Sequence, residues 1–262
     1  MLEGVVKLVV AGAVVLAGPA LAAAEPAPGL PATLRVLVAA DEMPEMFSFA
    51  EKGQPGLERE LVEGFCRVHG LRMQVLPVRE FDQIIPMLLR GEGDLITGIV
   101  DTPARRQKVA FTAEIFPVRH LAVTRRPAAS VARAEDLRAL RVAVIPGTSW
   151  EQATADAGVP KAKRVAFRDA DALLAGLRAR QADAAVMPFL DYALASKRDH
   201  DLVAGAFVGT GLSAAFAMRP EDGRLVEALN SYLLGLRQAR QALMFKYLSE
   251  EALSLIALAR RE

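Results

Sequence analysis

Cysteine is nearly absent from this chain of 262 residues, which contains one, and histidine is scarce, with three. A single cysteine cannot form a disulfide within the chain and does not supply a thiolate metal cluster. Excess charge is also missing, because 32 basic residues are balanced by 31 acidic ones. The composition therefore gives no sign of binding to nucleic acid or to an anionic membrane. A hydrophobic content of 52% excludes a disordered chain.

Long hydrophobic runs are missing except near the N-terminus. Residues 8–17 are almost wholly apolar, follow a short head with one lysine, and precede small residues up to Ala24. This pattern predicts a signal peptide over residues 1–24, cleaved after Ala22 or Ala24, and hence export to the periplasm. The run is short for a membrane span, although Glu3 weakens the positive head and leaves an uncleaved anchor as the alternative.

Strands and amphipathic helices alternate along the first half of the mature chain. The helix stripe Leu57, Leu61 and Phe65 has Cys66 on its flank, which we interpret as a small buried hydrophobe. Alternation of this kind predicts a mostly parallel sheet covered on both faces. The predicted elements are strand 34–40, helix 56–69, strand 72–78, a helix through 84–89 capped by Asp82, and strand 94–100.

The pattern restarts with a strand at 140–145, a helix through 173–177 capped by Asp169 or Asp171, and a strand at 183–187. Two extended runs, 115–126 and 212–219, are well placed to cross between two α/β bodies. Such crossings would leave a cleft with a hinge at its base. We expect one lobe at residues 32–116, a second at 117–211, and a return to the first with C-terminal helices at 212–262.

Six segments in order carry a resemblance to a known family: 38–41 with 47–49, 56–61, 81–89, 93–98 with 102–105 and 111–112, 142–148, and 182–184. Together they resemble the periplasmic solute-binding proteins of amino-acid ABC transporters, solute-binding family 3. The resemblance implies an α/β, two-lobed periplasmic-binding-protein-like fold with a two-segment hinge. It also implies a monomeric, non-catalytic receptor without a cofactor, which captures a small carboxylate-bearing solute for an inner-membrane ABC permease.

The resemblance implies that Arg105 holds the carboxylate of the ligand. A guanidinium offers planar paired donors that match a carboxylate and keeps its charge at any working pH. Arg106 is the alternative, one residue along.

A second anchor is predicted at the turn Gly147, Thr148 and Ser149, which enters a helix near Trp150. Backbone N–H groups and the helix dipole favour an anion at such a turn. Ser149 is also a candidate for an ordinary helix cap.

Four further positions fall where the family contacts its ligands. Phe81 would pack against the ligand side chain or serve as a core residue, and Gly98 and Thr102 would offer hydrogen bonds. Asp41, at the end of the first strand, is a candidate polar contact.

The sequence departs from the family pattern in three places. Pro188 stands where the family usually has an aspartate for the ligand ammonium group, and proline cannot replace it. Another carboxylate, of Asp101, Asp41 or Asp191, would have to serve, or the ligand has no α-ammonium. Pro44 replaces the first expected aromatic contact, for which Trp150 is a substitute or a core residue. The loop 98–102 is one residue short, which brings Asp101 near enough to Arg105 to neutralise it.

Two other functions stay open at the level of sequence. The fold also resembles cyclohexadienyl dehydratases, which need a general acid or base in the cleft, but His69, His120 and His200 form no triad or metal spacing. It resembles as well the regulatory half of membrane-bound lytic transglycosylases, so a stand-alone sensor or cell-wall binding module is the third hypothesis.

Overall fold

The computed structural model describes residues 28–259. The predicted signal peptide lies outside the described residues. No helix within the described range is long and apolar enough to cross a bilayer.

Nine strands and nine α-helices follow one another in the described part of the chain. The strands are β1 Thr33–Ala39, β2 Arg72–Val78, β3 Leu95–Asp101, β4 Ala110–Phe111, β5 Phe116–Arg125, β6 Val142–Val144, β7 Arg164–Ala166, β8 Ala184–Pro188 and β9 Leu202–Met218. The helices are α1 Leu57–His69, α2 Ile84–Leu89, α3 Pro103–Arg106, α4 Ser149–Asp156, α5 Ala170–Arg178, α6 Phe189–Ser196, α7 Gly223–Gly235, α8 Arg237–Tyr247 and α9 Glu250–Ala259.

The described strands form one sheet in the order β2-β1-β3-β9-β5-β8-β6-β7, with β4 added beside β9. The pairings at both ends, β1 with β2 and β3, and β6 with β7 and β8, are parallel. The pairings of β9 and β5 in the middle are antiparallel, so the prediction of a mostly parallel sheet is only half right. The crossing strands β5 and β9 run against the flanking strands and join the two parallel ends.

Helix α1 forms because its apolar residues recur at helical spacing and bury one face. Leu57, Leu61 and Phe65 are buried against the β1 side of the sheet, and each contributes roughly 1.5–3 kcal/mol of apolar transfer. Gly70 ends the helix at φ 68, a backbone conformation that glycine adopts without strain. Cys66 is buried as predicted, and burial raises the pKa of its thiol to about 11.

Two local predictions need correction. Asp82 does not cap a helix, because Phe81–Gln83 form a 3-10 turn and α2 begins only at Ile84. Strand β9 begins at Leu202, ten residues before the predicted run, and these ten residues contain three glycines, a residue type that turns favour. Gly205 instead lets β9 approach another backbone closely: an added Cβ there would lie 2.5 Å from the carbonyl oxygen of Val131.

The cap predicted at Asp169 is confirmed, with its Oδ1 accepting from the Ala172 N–H at 2.7 Å.

Candidate functional site

A cavity of about 490 Å³ lies at the carboxyl ends of the parallel strands from both ends of the sheet. The residues after β1 and β6, the end of β8 and the crossing strands all contribute to its wall. Open α/β folds bind small molecules at this kind of strand edge, and the volume suits a small organic solute. Seven of the predicted site residues line it: Asp41, Phe81, Gly98, Arg105, Thr148, Ser149 and Trp150.

Arg105 is held inside the structure on the single turn of α3 and is 7% exposed. Its Nη1 donates to the carbonyl oxygen of Val100 at 2.7 Å, and its Nη2 donates to the carbonyl oxygen of Gly147 at 2.9 Å. Val100 belongs to β3 and Gly147 follows β6, so the guanidinium joins the two ends of the sheet. These bonds use two of its five N–H donors.

The environment of Arg105 favours a partner with negative charge. Burial lowers the pKa of its guanidinium to about 10, so the group stays charged at neutral pH. The ring of Phe81 lies 5.4 Å from the guanidinium carbon, within the range of a cation–π contact. A buried cation bonded only to neutral carbonyls and a ring gains most from an anion that reaches it.

Asp101 forms no salt bridge with Arg105, although its charge partly offsets the larger effect of burial on the pKa of Arg105. Its two carboxylate oxygens each accept a hydrogen bond of 2.6 Å from the exposed guanidinium of Arg106. Asp101 and Thr102 are also absent from the cavity wall, so the structure does not place these two predicted contacts at the site. Thr102 instead caps α3, with its hydroxyl oxygen accepting from the Arg105 N–H at 3.3 Å. Thr102 therefore stabilises the helical turn that carries Arg105 and does not itself contact the cavity.

The turn before α4 offers fewer free amides than its sequence suggests. The Gly147 N–H donates to Glu151 Oε2 at 3.0 Å, and the Thr148 N–H donates to the Ile145 carbonyl at 3.3 Å. Thr148, not Ser149, is the N-cap of α4, and its hydroxyl oxygen accepts from the Glu151 N–H at 3.4 Å. The N–H groups of Gly147 and Thr148 are therefore already bonded within the protein. The predicted anion anchor retains only the part of the turn that faces the cavity.

Ser149 and Trp150 are the residues of α4 that meet the cavity, and both are buried. The Ser149 hydroxyl forms a 2.9 Å hydrogen bond with Nε2 of His120, which lies on the crossing strand β5. Burial, with a smaller contribution from Arg105, lowers the pKa of His120 to about 4. A neutral imidazole therefore orients the Ser149 hydroxyl at the working pH.

Six acidic residues of the described range line the same cavity, and among them Glu42 feels the charges of both Glu58 and Asp191. Glu58 is 1% exposed; its Oε2 accepts from the Gly98 N–H at 2.6 Å, and its Oε1 has no hydrogen-bond partner among residues 28–259. Gly98 has φ 62, and an added Cβ would lie 2.2 Å from Glu42 Oε2 and 4.0 Å from Glu58 Oε2. Both glutamate carboxyl groups therefore crowd against one glycine.

The three groups share an environment that resists negative charge. Burial raises the pKa of Glu58 and of Asp191 to about 7, and it raises the pKa of Glu42 well above its ordinary value. Repulsion among the carboxylates adds to this effect, since Glu42 faces both of the others. Within the described residues none of the three forms an ion pair. We call Glu42, Glu58 and Asp191 the acid cluster.

Asp41 makes a different contact from its acidic neighbours. Its Oδ2 accepts a 3.0 Å hydrogen bond from the N–H of Ala170, the first residue of α5. Asp41 is exposed at the rim of the cavity and ties the segment after β1 to the far end of the sheet.

Glu42 and Glu58 were not predicted as site residues, and Asp191 was considered only as a substitute for the missing aspartate. One signal was available for Glu58: it lies beside Leu57 and precedes Leu61 by three residues, so it falls on the apolar face of α1. A charged residue on a buried helix face calls for a partner or a function. Glu42, on a loop, has no comparable pattern.

Comparison with known protein families gives a match over residues 34–250 to the bacterial extracellular solute-binding proteins, family 3. The chain belongs to this family. The α/β fold described above matches that of two-lobed periplasmic binding proteins of known structure, as the resemblance implied. The sequence matches none of the curated proteins with which it was compared.

Solved structures with this fold include the arginine-bound form of a truncated ArgBP from T. maritima, at 28% identity and a TM-score of 0.71, covering 78% of this chain and 96% of that one. The ancestral amino-acid-binding protein AncCDT-1, described as a precursor of cyclohexadienyl dehydratase, matches at 28% identity and a TM-score of 0.73, covering 83% and 96%. The substrate-binding protein of an amino-acid ABC transporter shares the fold at 20% identity and a TM-score of 0.73, covering 82% and 99%.

Proposed function

We propose that this protein is a periplasmic receptor that binds a small amino-acid-like solute by its carboxylate and delivers it to an inner-membrane ABC permease. The observation that carries the proposal is the buried guanidinium of Arg105, which faces a cavity of amino-acid size and keeps donors to spare. Membership of the solute-binding family supports the transport role. The relatives described as binding amino acids support the solute class.

The bonds of Arg105 also provide a mechanism for closure. Its guanidinium contacts Gly147 from the other end of the sheet, so a carboxylate bound to Arg105 would lie against the turn before α4. Ser149, oriented by His120, supplies a hydroxyl on that side. A ligand held from both ends of the sheet binds the closed form more tightly than the open form, and this difference drives closure.

Isothermal titration with amino acids, dicarboxylates and keto acids tests this proposal. Arg105→Ala should weaken binding by about 30-fold or more, because truncating one side of a buried charge pair costs roughly 2–5 kcal/mol. Arg106→Ala is the matched control: this neighbour is exposed and paired with Asp101, so its loss should change affinity by less than about threefold. Binding that survives Arg105→Ala unchanged, or no binding of any of these solutes, contradicts the proposal.

The acid cluster favours a second candidate, a dehydratase of the cyclohexadienyl type. A carboxyl group that holds a proton near neutral pH meets the requirement of a general acid, and Glu58 has a pKa of about 7. Incubation with prephenate and arogenate, followed by detection of the aromatic products, tests this function. Turnover that disappears in Glu58→Gln would establish the dehydratase function. If no product forms, the receptor function is the one that remains.

A further inference from the structure

The acid cluster has no positively charged partner among the described residues, although Glu58 is buried and Glu42 and Asp191 are half-buried. Glu58 lines the cavity and is 1% exposed, and its Oε1 is buried without a hydrogen bond among the described residues. A buried polar atom left unpaired costs about 1–3 kcal/mol. A donor that enters the cavity with positive charge would recover this cost and would also relieve the repulsion among the three groups.

The geometry suits an organic cation better than a metal ion. Among residues 28–259 no group of three or more carboxylate, histidine or cysteine side chains converges closely enough to hold a metal. Ammonium and guanidinium groups carry several N–H donors that point in different directions, so they can reach acceptors that are spread over a wall.

The positive and negative parts of the cavity are separated along β3. Glu58 accepts from the N–H of Gly98, whereas Arg105 donates to the carbonyl of Val100, two residues further on. Gly98 and Val100 are two residues apart on β3, so the two contact points are separate, in a stretch that is not a regular strand because Gly98 has φ 62. An α-ammonium group is separated from its carboxylate by one carbon, so a charge at the end of a longer side chain matches this spacing better.

Four arginines also line the mouth of the cavity, and they repel a cation. They are exposed, so the solvent screens them, and three have carboxylate neighbours within 3.6 Å. The acid cluster lies deeper, where charge interactions are screened less. The four are Arg79, Arg168, Arg178 and Arg198.

We propose that Glu42, Glu58 and Asp191 bind the positively charged side-chain end of the solute, so that the receptor selects amino acids ending in an ammonium or guanidinium group over neutral ones. The inference rests on the proposed function, because it places the carboxylate of the same solute at Arg105. It assigns the role of recognising side-chain charge to three acids, which lie after β1, on α1 and on α6.

Titration of the mature protein with arginine, lysine, citrulline and glutamine tests this assignment, because citrulline has the shape of arginine without its charge. Arginine or lysine should bind at least about tenfold more tightly than citrulline and glutamine, and Glu58→Gln should remove most of that preference. Glu60→Gln, on the same helix but bonded to Lys246 and Tyr247 away from the cavity, should keep it. If Glu58→Gln does not fold, Glu42→Gln gives the same comparison.

The outcomes separate the two proposals. If citrulline or glutamine binds as tightly as arginine and lysine, or if the preference survives both Glu58→Gln and Glu42→Gln, the cation subsite is refuted while the receptor function stands. If none of the four amino acids binds and no other carboxylated solute does, the proposed function fails and the subsite fails with it.

Discussion

Replacing Glu58 by glutamine should change the pH dependence of stability in a direction opposite to that of most carboxylates. Burial raises the pKa of Glu58 in the folded protein from its ordinary 4.5 to about 7. The folded state therefore binds a proton more strongly than the unfolded chain does. The stability that this proton confers is present at low pH and is lost as the pH rises through about 7. Glutamine imitates the neutral carboxyl group and has no charge to bury.

The size of the effect follows from the difference between the two pKa values. Between pH 8 and pH 5.5, wild type should gain about 2 kcal/mol of unfolding free energy relative to Glu58→Gln, since one pKa unit corresponds to about 1.4 kcal/mol. For a chain of this length, that is a change of about 4–8 °C in the difference between their Tm values. His120 acts in the other direction, because its pKa is lowered to about 4, but it is present in both proteins and cancels in the comparison.

The assay is thermal unfolding of both ligand-free proteins, followed by circular dichroism at pH 5.5, 7 and 8. We expect Glu58→Gln to exceed wild type in Tm at pH 8 and to lose that advantage at pH 5.5. Glu60→Gln provides the contrast: Lys246 and Tyr247 lower the pKa of Glu60, so its removal should destabilise the protein at pH 8 and at pH 5.5 alike. A Tm difference between Glu58→Gln and wild type that does not vary with pH would show that Glu58 does not take up a proton on folding near neutral pH.

Two further predictions concern closure and the sheet. Gly147 has φ 75, and an added Cβ would lie 2.7 Å from the Cα of Asp82, so Gly147→Ala should keep the two ends of the sheet apart. The substitution should weaken solute binding on the order of tenfold and increase the radius of gyration of the ligand-bound protein in X-ray scattering. Unchanged affinity would contradict this prediction. Asp94 accepts from Arg35 at 2.7 Å and from Arg219 at 3.2 Å, and these contacts lower its pKa. Asp94→Asn should therefore cost about 2 kcal/mol in urea unfolding at pH 7, and the loss should shrink as the pH falls below the ordinary aspartate pKa of 3.8; a constant loss would disprove it.

Periodicity and turn chemistry predicted the outer parts of the sheet well. Patterns of residues close together in the sequence specify strand β1, helix α1 with its end at Gly70, and the cap at Asp169. The long β9 was missed in its first half because glycine has the same local signature in a turn and in a strand that packs closely on another backbone. That distinction depends on residues far away in the sequence.

The candidate site was predicted unevenly for the same reason. Arg105 could be singled out because its segment is a recognisable motif that ends a strand. The pairing of Asp101 with Arg106 instead of Arg105 depends on which way side chains leave a four-residue helix, which residue spacing does not determine. The acid cluster draws its members from a loop, from α1 and from α6, and only the folded chain brings them together.

A crystal structure of the protein with the solute that binds most tightly would test the roles of Arg105 and the acid cluster together. We expect the carboxylate of the solute to lie within hydrogen-bond distance of the Arg105 guanidinium and its positive group to lie against Glu58. A solute bound elsewhere, or bound in this cavity with its carboxylate remote from Arg105, would contradict this expectation.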